Sequence, residues 1–223
     1  MRSVKLNTFK KIIDTLMTII LLCLMAYQVT GEALHEWLGI SMTVLVILHN
    51  FLNFKWYATL FKGKHNAYRI VTVVFNILLF VSIILTAICG MAISTHTLPF
   101  LYGILPISFA RRFHLAMSFW SFILMGFHLG LHIPALFSAF KLNVRIKKVI
   151  IAIFICISAF GFWYFINSKI TDYIFFKTPF AFFDYNKSNL LVFFENFSIL
   201  IFFASMGTTI AILLKPRKKH LSD

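Results

Sequence analysis

Two pairs of histidines recur at one spacing inside apolar stretches: His35 with His49, and His114 with His128, each fourteen residues apart. On an α-helix that separation is roughly four turns less about 40°, so both members of a pair face one way, about 21 Å apart along the axis. Ionisable side chains are costly within a bilayer and tend to mark function there. Two helices, each offering two imidazoles at matched heights, predict two stacked b-type haems. Each iron would take two axial imidazoles, the ligation suited to electron transfer. The expected pairs are His35 with His114 and His49 with His128.

Other residues bear on the same chemistry. His132 follows His128 by four positions and shares its helix face. It fits an alternative ligand, a propionate partner or part of a proton path to a quinone. His96 fits a similar accessory role near His35 and His114. His65 and His220, in a basic loop and the tail, read as solvated. Arg111 and Arg112 precede His114 and have two readings: partners for haem propionates, or anchors at the lipid headgroups. Lys55, Lys62 and Lys64 could serve propionates near His49, but there the positive-inside rule already explains them. Gly39, Ser41, Gly126 and Gly130 offer either close approach to a macrocycle or ordinary helix packing.

Two competing chemistries follow from the same residues. His128-x3-His132 is a two-ligand zinc spacing, which raises a histidine-based metal transporter or intramembrane metalloenzyme. No HExxH is present, and intramembrane acids are too few for a divalent-cation path. A cofactor-free membrane anchor subunit leaves the matched pairs unexplained. Cys23, Cys89 and Cys156 are isolated, with no CxxC, which disfavours thiolate metal sites and c-type haem attachment; they read as small buried apolar residues.

The elements that carry these residues must be transmembrane helices. The chain has 223 residues, 60% hydrophobic and 13% charged, with mean hydropathy +0.88. That composition belongs to an all-α polytopic membrane bundle. Six spans of about 20 residues are expected, at 12–30, 34–54, 70–94, 113–137, 146–166 and 190–214, in a single domain over 1–223. Sixteen of the 21 basic residues fall before span one, after spans two, four and six; Arg111, Arg112, Lys169, Lys177 and Lys187 make the other five. This alternation predicts both termini in the cytoplasm and makes the two histidine-bearing helices parallel. The net charge of +14 is then a topogenic signal with anionic-lipid contact, and no nucleic-acid partner is expected. The loop at 167–189, rich in aromatics, reads as an interfacial or docking segment or as a cover for the bundle end. No Rossmann fingerprint or flavin domain is present, so an electron-transfer subunit is expected rather than a stand-alone enzyme.

Several segments carry a family resemblance. They are His35-Glu36-Trp37-Leu38-Gly39, Leu48-His49-Asn50, Lys55-Trp56-Tyr57 and Leu60-Phe61-Lys62-Gly63-Lys64. To these add Phe109-Ala110-Arg111, Phe113-His114-Leu115, His128-Leu129-Gly130-Leu131-His132 and Phe182-Phe183-Asp184-Tyr185. Together they resemble the flavinylation-associated cytochrome family (DUF4405), small bacterial membrane cytochromes b, over about residues 30 to 210. Arg112 is a small departure from the pattern. The resemblance implies a cytochrome-b-like bundle in the bacterial plasma membrane, holding haem b. It also implies electron exchange with extracytosolic proteins carrying covalent flavin mononucleotide; a quinone or a membrane reductase would stand at the other end of the route.

Overall fold

Helix boundaries follow the polar residues that punctuate the apolar runs. The computed structural model describes residues 2–60, 62, 66–139 and 143–215, without the side chains of 2–6 and 138–139. Asn66, Asn143 and Ser188 each accept a hydrogen bond from a first-turn N–H, those of Arg69, Arg145 and Leu191. Such caps satisfy donors that a helix start leaves orphaned. They open helices Ala67–Ala92, Val144–Asn167 and Asn189–Leu214. In chain order the helices are α1 (Arg2–Met25), α2 (Tyr27–Leu52), α3 (Phe54–Thr59), α4 (Ala67–Ala92), α5 (Ile107–Ala139), α6 (Val144–Asn167), α7 (Ile170–Ile174) and α8 (Asn189–Leu214). A single 3₁₀ turn, Pro99–Leu101, lies between α4 and α5. The described residues contain no strand.

Five helices are long and apolar enough to cross a membrane: α2, α4, α5, α6 and α8. The expected first span differs. α1 is helical throughout, but Lys10, Lys11 and Asp14 lie within it, so it lacks the long uncharged window of the others. It ends at Met25 rather than Thr30, because the chain turns at Ala26 and then kinks at Gly31 (φ 70°). That left-handed conformation suits glycine, and the kink separates Tyr27–Thr30 from the long arm of α2. The fourth expected span also starts earlier: α5 begins at Ile107, which puts Arg111 and Arg112 inside the helix.

α4, α5, α8 and α6 pack in that lateral order. Small residues allow backbone to meet backbone: a Cβ on Gly130 would fall on the Ala204 carbonyl, and one on Gly161 on the Ser198 carbonyl. Close approach of this kind is a main source of helix association in lipid. Pairing of residues fixes direction. His128 bonds Asn76, and Ser121 bonds Ser82, so α4 and α5 are antiparallel. The α1–α2 hairpin meets the rest of the bundle lightly, α1 against α8 and α5 and α2 against α4. α8 lies in the core between α5 and α6, with Ile199, Leu200 and Phe203 buried.

The 167–189 segment partly covers the bundle. Ile170, Tyr173 and Ile174 of α7 are buried, and the Trp120 indole donates to the Ile174 carbonyl at 3.2 Å. Phe175, Phe180, Phe182 and Tyr185 remain exposed. Glu195 lies buried on α8 and receives the Lys187 ammonium at 2.7 Å. Of the cysteines, Cys89 is buried, Cys23 half-buried and Cys156 exposed. The expectation of three buried cysteines therefore fails at Cys156, which lies on the outer face of α6.

Candidate functional site

The four histidines all point into the interior bounded by α1, α2, α4 and α5. At the end away from Lys10 and Arg69, the rings of His35 and His114 stand 6.1 Å apart between centroids, inclined by 79°. A ring nitrogen binds a transition metal at about 2 Å and lies about 1.1 Å from its own centroid, so two collinear ligands would place centroids about 6.3 Å apart. An ordinary edge-to-face pair covers the same range, so separation alone does not choose between them. His35 Nδ1 is buried with no well-aligned hydrogen bond, although the Leu24 carbonyl stands within reach of the ring. The Tyr27 ring meets His35 edge-on at 5.0 Å.

His114 Nδ1 donates to the Thr86 carbonyl at 2.9 Å. A carbonyl can only accept, so Nδ1 carries the proton and Nε2 keeps its lone pair. Gly90 makes room for this ring: a Cβ there would stand 3.0 Å from His114 Cε1.

The end marked by Lys10, Lys62 and Arg69 is the basic end. Here His49 Nδ1 lies 2.7 Å from Asp14 Oδ1, and His128 Nδ1 lies 2.8 Å from Asn76 Oδ1. With the amide oxygen accepting, the His128 ring holds its lone pair on Nε2, while the Asp14 carboxylate engages Nδ1 of His49 and leaves Nε2 turned away from it. His132 packs against His128 with ring centroids 4.9 Å apart. His49 is near enough to both to interact electrostatically, and Asp14 to His132. Among the described residues His49 makes no ring–ring contact with the α5 imidazoles.

Three of the four expected ligands therefore have Nδ1 engaged by an acceptor, with Nε2 on the opposite side of the ring. Metal-binding histidines have this arrangement, because the outer hydrogen bond fixes tautomer and orientation. The donor set fits two bis-imidazole irons. The acceptors Asp14, Asn76 and Thr86 were not singled out as ligand partners by sequence; Asp14 and Asn76 were nevertheless visible as polar residues within apolar runs.

Other expected residues separate. Arg112 donates to the Phe176 carbonyl at 3.2 Å and, with Ser108, Phe109, Phe113 and Phe176, lines a cavity of about 370 Å³; it ties α5 to the 167–189 segment. Arg111 instead lies within electrostatic range of Tyr27, on the His35 side. Gly126 and Gly130 face α8, which settles them as helix-packing positions. Gly39 has open space beside it, and Ser41 bonds back to the Trp37 carbonyl. Lys62 lines a cavity of about 400 Å³ with Trp56, Thr59, Leu60, Arg69 and Val73. His65, Lys64 and His220 lie outside the described residues.

His96 does not join His35. Its Nε2 lies 3.9 Å from Glu32, in a surface group with Glu36 whose potential ligand atoms lie within 4.8 Å of one another. Glu36 is already engaged by the backbone N–H groups of Thr95, His96 and Thr97 and by the Ser94 hydroxyl. Its carboxylate fastens the α4–α5 connection to α2.

These features define the class: an all-helical bundle, apolar enough to span a membrane, with an imidazole-lined interior. No family model, curated protein or solved structure matches the chain.

Proposed function

We propose that this chain is a di-haem b-type membrane cytochrome that carries electrons across the plasma membrane of a bacterium. The reading rests above all on the acceptors beside the rings: Asp14, Thr86 and Asn76 engage Nδ1 of His49, His114 and His128 respectively, which orients Nε2 as the ligating atom. Haem b with two axial imidazoles supplies a one-electron couple and leaves no coordination site for oxygen or substrate. His35 and His114 hold one group and His49 and His128 the other, with His132 beside the second pair. Arg111 is the cation best placed to meet propionates near His35; Arg112 is occupied in tying down the loop.

Both termini lie in the cytoplasm by the positive-inside rule, with α1 as a sixth, more polar crossing whose Lys10 meets Asn53 at the basic end. The chain is an electron-transfer subunit. Its extracytosolic partner is a protein bearing flavin mononucleotide, in keeping with the family resemblance, and a quinone or a membrane reductase serves the cytoplasmic side. A metal transporter is less well supported: among the described residues the one buried carboxylate, Glu195, is bound to Lys187 far from the imidazoles in sequence and helix.

The test is a reduced-minus-oxidised spectrum of purified protein with pyridine-haemochrome quantitation. Two b-type haems per chain are expected, and one after His49→Ala or His128→Ala. Zinc without haem, or two haems retained in both variants, would overturn the assignment.

A further inference from the structure

The four imidazoles are not equivalently supported. His114 bonds a neutral backbone carbonyl and His128 a neutral amide oxygen. His35 Nδ1 has no well-aligned hydrogen bond. His49 alone bonds a carboxylate, that of Asp14, at 2.7 Å. Asp14 stands half exposed on α1, between the exposed Ile12 and Leu16. Lys10, one turn before it, has its ammonium bonded to Asn53 Oδ1 at 2.9 Å.

A carboxylate accepting from an imidazole N–H draws the proton toward itself and makes the opposite nitrogen a stronger electron donor. A more basic ligand and an added negative charge both favour the oxidised metal. At the other end the balance differs. Arg111 lies on the His35 side, and the acid next to His35, Glu36, has its charge taken up by N–H and hydroxyl donors. Asp14 is half exposed, so water and salt weaken its field at a distance. The direct hydrogen bond to His49 does not depend on that field.

Resting on the di-haem reading above, we infer that Asp14 is a positioning residue acting through His49, which makes the basic-end haem the lower-potential member of the pair. Electrons shared between the two sites then reside mainly at the His35–His114 end. Asp14 is thereby the residue that makes the two otherwise similar sites unequal.

Potentiometric titration of the purified holoprotein and its D14N and D14E variants tests this. In D14N the lower midpoint should rise by at least a tenfold change in the reduction equilibrium, 59 mV for a one-electron couple. The higher midpoint should stay, and D14E should restore the original gap. The ferric low-spin electron-paramagnetic signal of one haem alone should change with the lower midpoint. Unmoved midpoints, a shift in the higher one, or equal shifts in both would overturn the inference. Should D14N lose one haem, the surviving midpoint decides: the higher one upholds the inference, the lower one overturns it. Absence of haem from the unmodified protein would instead refute the di-haem reading itself.

Discussion

Asn76→Ala isolates what a single acceptor on α4 contributes to a ligand on α5. His128 Nδ1 donates to Asn76 Oδ1 at 2.8 Å in a partly buried setting. Removing the acceptor leaves a donor unsatisfied, at a cost of about 1–3 kcal/mol. At about 1.4 kcal/mol per tenfold, that is roughly a 5- to 140-fold loss of cofactor affinity. Losing an outer hydrogen bond to a metal-bound histidine costs about 10- to 100-fold by independent reckoning, so the two estimates agree. The measurement is best made in a His114→Ala background, which leaves only the basic-end site. Haem is titrated into cofactor-depleted protein in detergent and followed at the Soret band. Asn76→Asp keeps an oxygen in the same place and should bind close to the parent. If Asn76→Ala binds haem as tightly as its parent, the hydrogen bond does not set the His128 tautomer, and the reasoning from fixed tautomers fails at that residue.

Two further substitutions test the other end and the scaffold. Gly90→Ala places a Cβ 3.0 Å from His114 Cε1 and 3.1 Å from Nδ1, so the ring must shift; crowding of about 1–3 kcal/mol, partly offset by about 1 kcal/mol of helix propensity, should weaken the His35–His114 site several-fold in a His49→Ala background. Unchanged haem affinity there would show that the His114 ring does not need its present place. Lys187→Met strands the buried Glu195 carboxylate, which should cost about 3 kcal/mol and lower the thermal unfolding midpoint in detergent, with Lys187→Arg largely neutral. Burial pulls the Lys187 ammonium down, but the Glu195 hydrogen bond outweighs it and holds it above the ordinary lysine value. A raised value means the contribution is fully present at neutral pH and fades only as pH rises through it; a midpoint difference between Lys187→Met and parent that vanishes already at pH 8 would contradict this.

The sequence made the histidine-bearing helices readable because an imidazole in an apolar run is rare and the helical period is fixed. Spacing along one helix needs no knowledge of its neighbours. The supporting acceptors do need it. Asp14, Asn76 and Thr86 come from α1 and α4, and only the register between helices says that they meet His49, His128 and His114. The same limit explains the glycines: Gly126 and Gly130 share a helix with His114 and His128, yet they face α8. Arg111 and Arg112 are neighbours in sequence, and the 100° step between them sends one toward Tyr27 and the other to Phe176. The gap expected between the first two spans, 31–33, holds the kinked Gly31, whereas the turn at Ala26 was hidden because Leu24, Met25 and Tyr27 continue the apolar run around it.

The way the helices pack bears on what the interior is for. Where α5 meets α8, and α6 meets α8, glycine lets backbones touch, as expected of helices that must associate without a strong hydrophobic driving force. α2 does not follow that pattern. Its backbone stays apart from α5, and the two helices meet through imidazole rings at one end and face each other across His49, His128 and His132 at the other. Gly39, one turn beyond His35, has nothing within 4 Å. A helix pair selected only for mutual packing would place small residues at its seam and close it. Four polar rings, each costly to bury, stand along this pairing instead, and the haems proposed above are the groups that would satisfy them. α8 supplies the apolar core behind α5, through Ile199, Leu200 and Phe203, and α1 contributes both the turn of the hairpin and, through Asp14, the one carboxylate bonded to a ligand histidine.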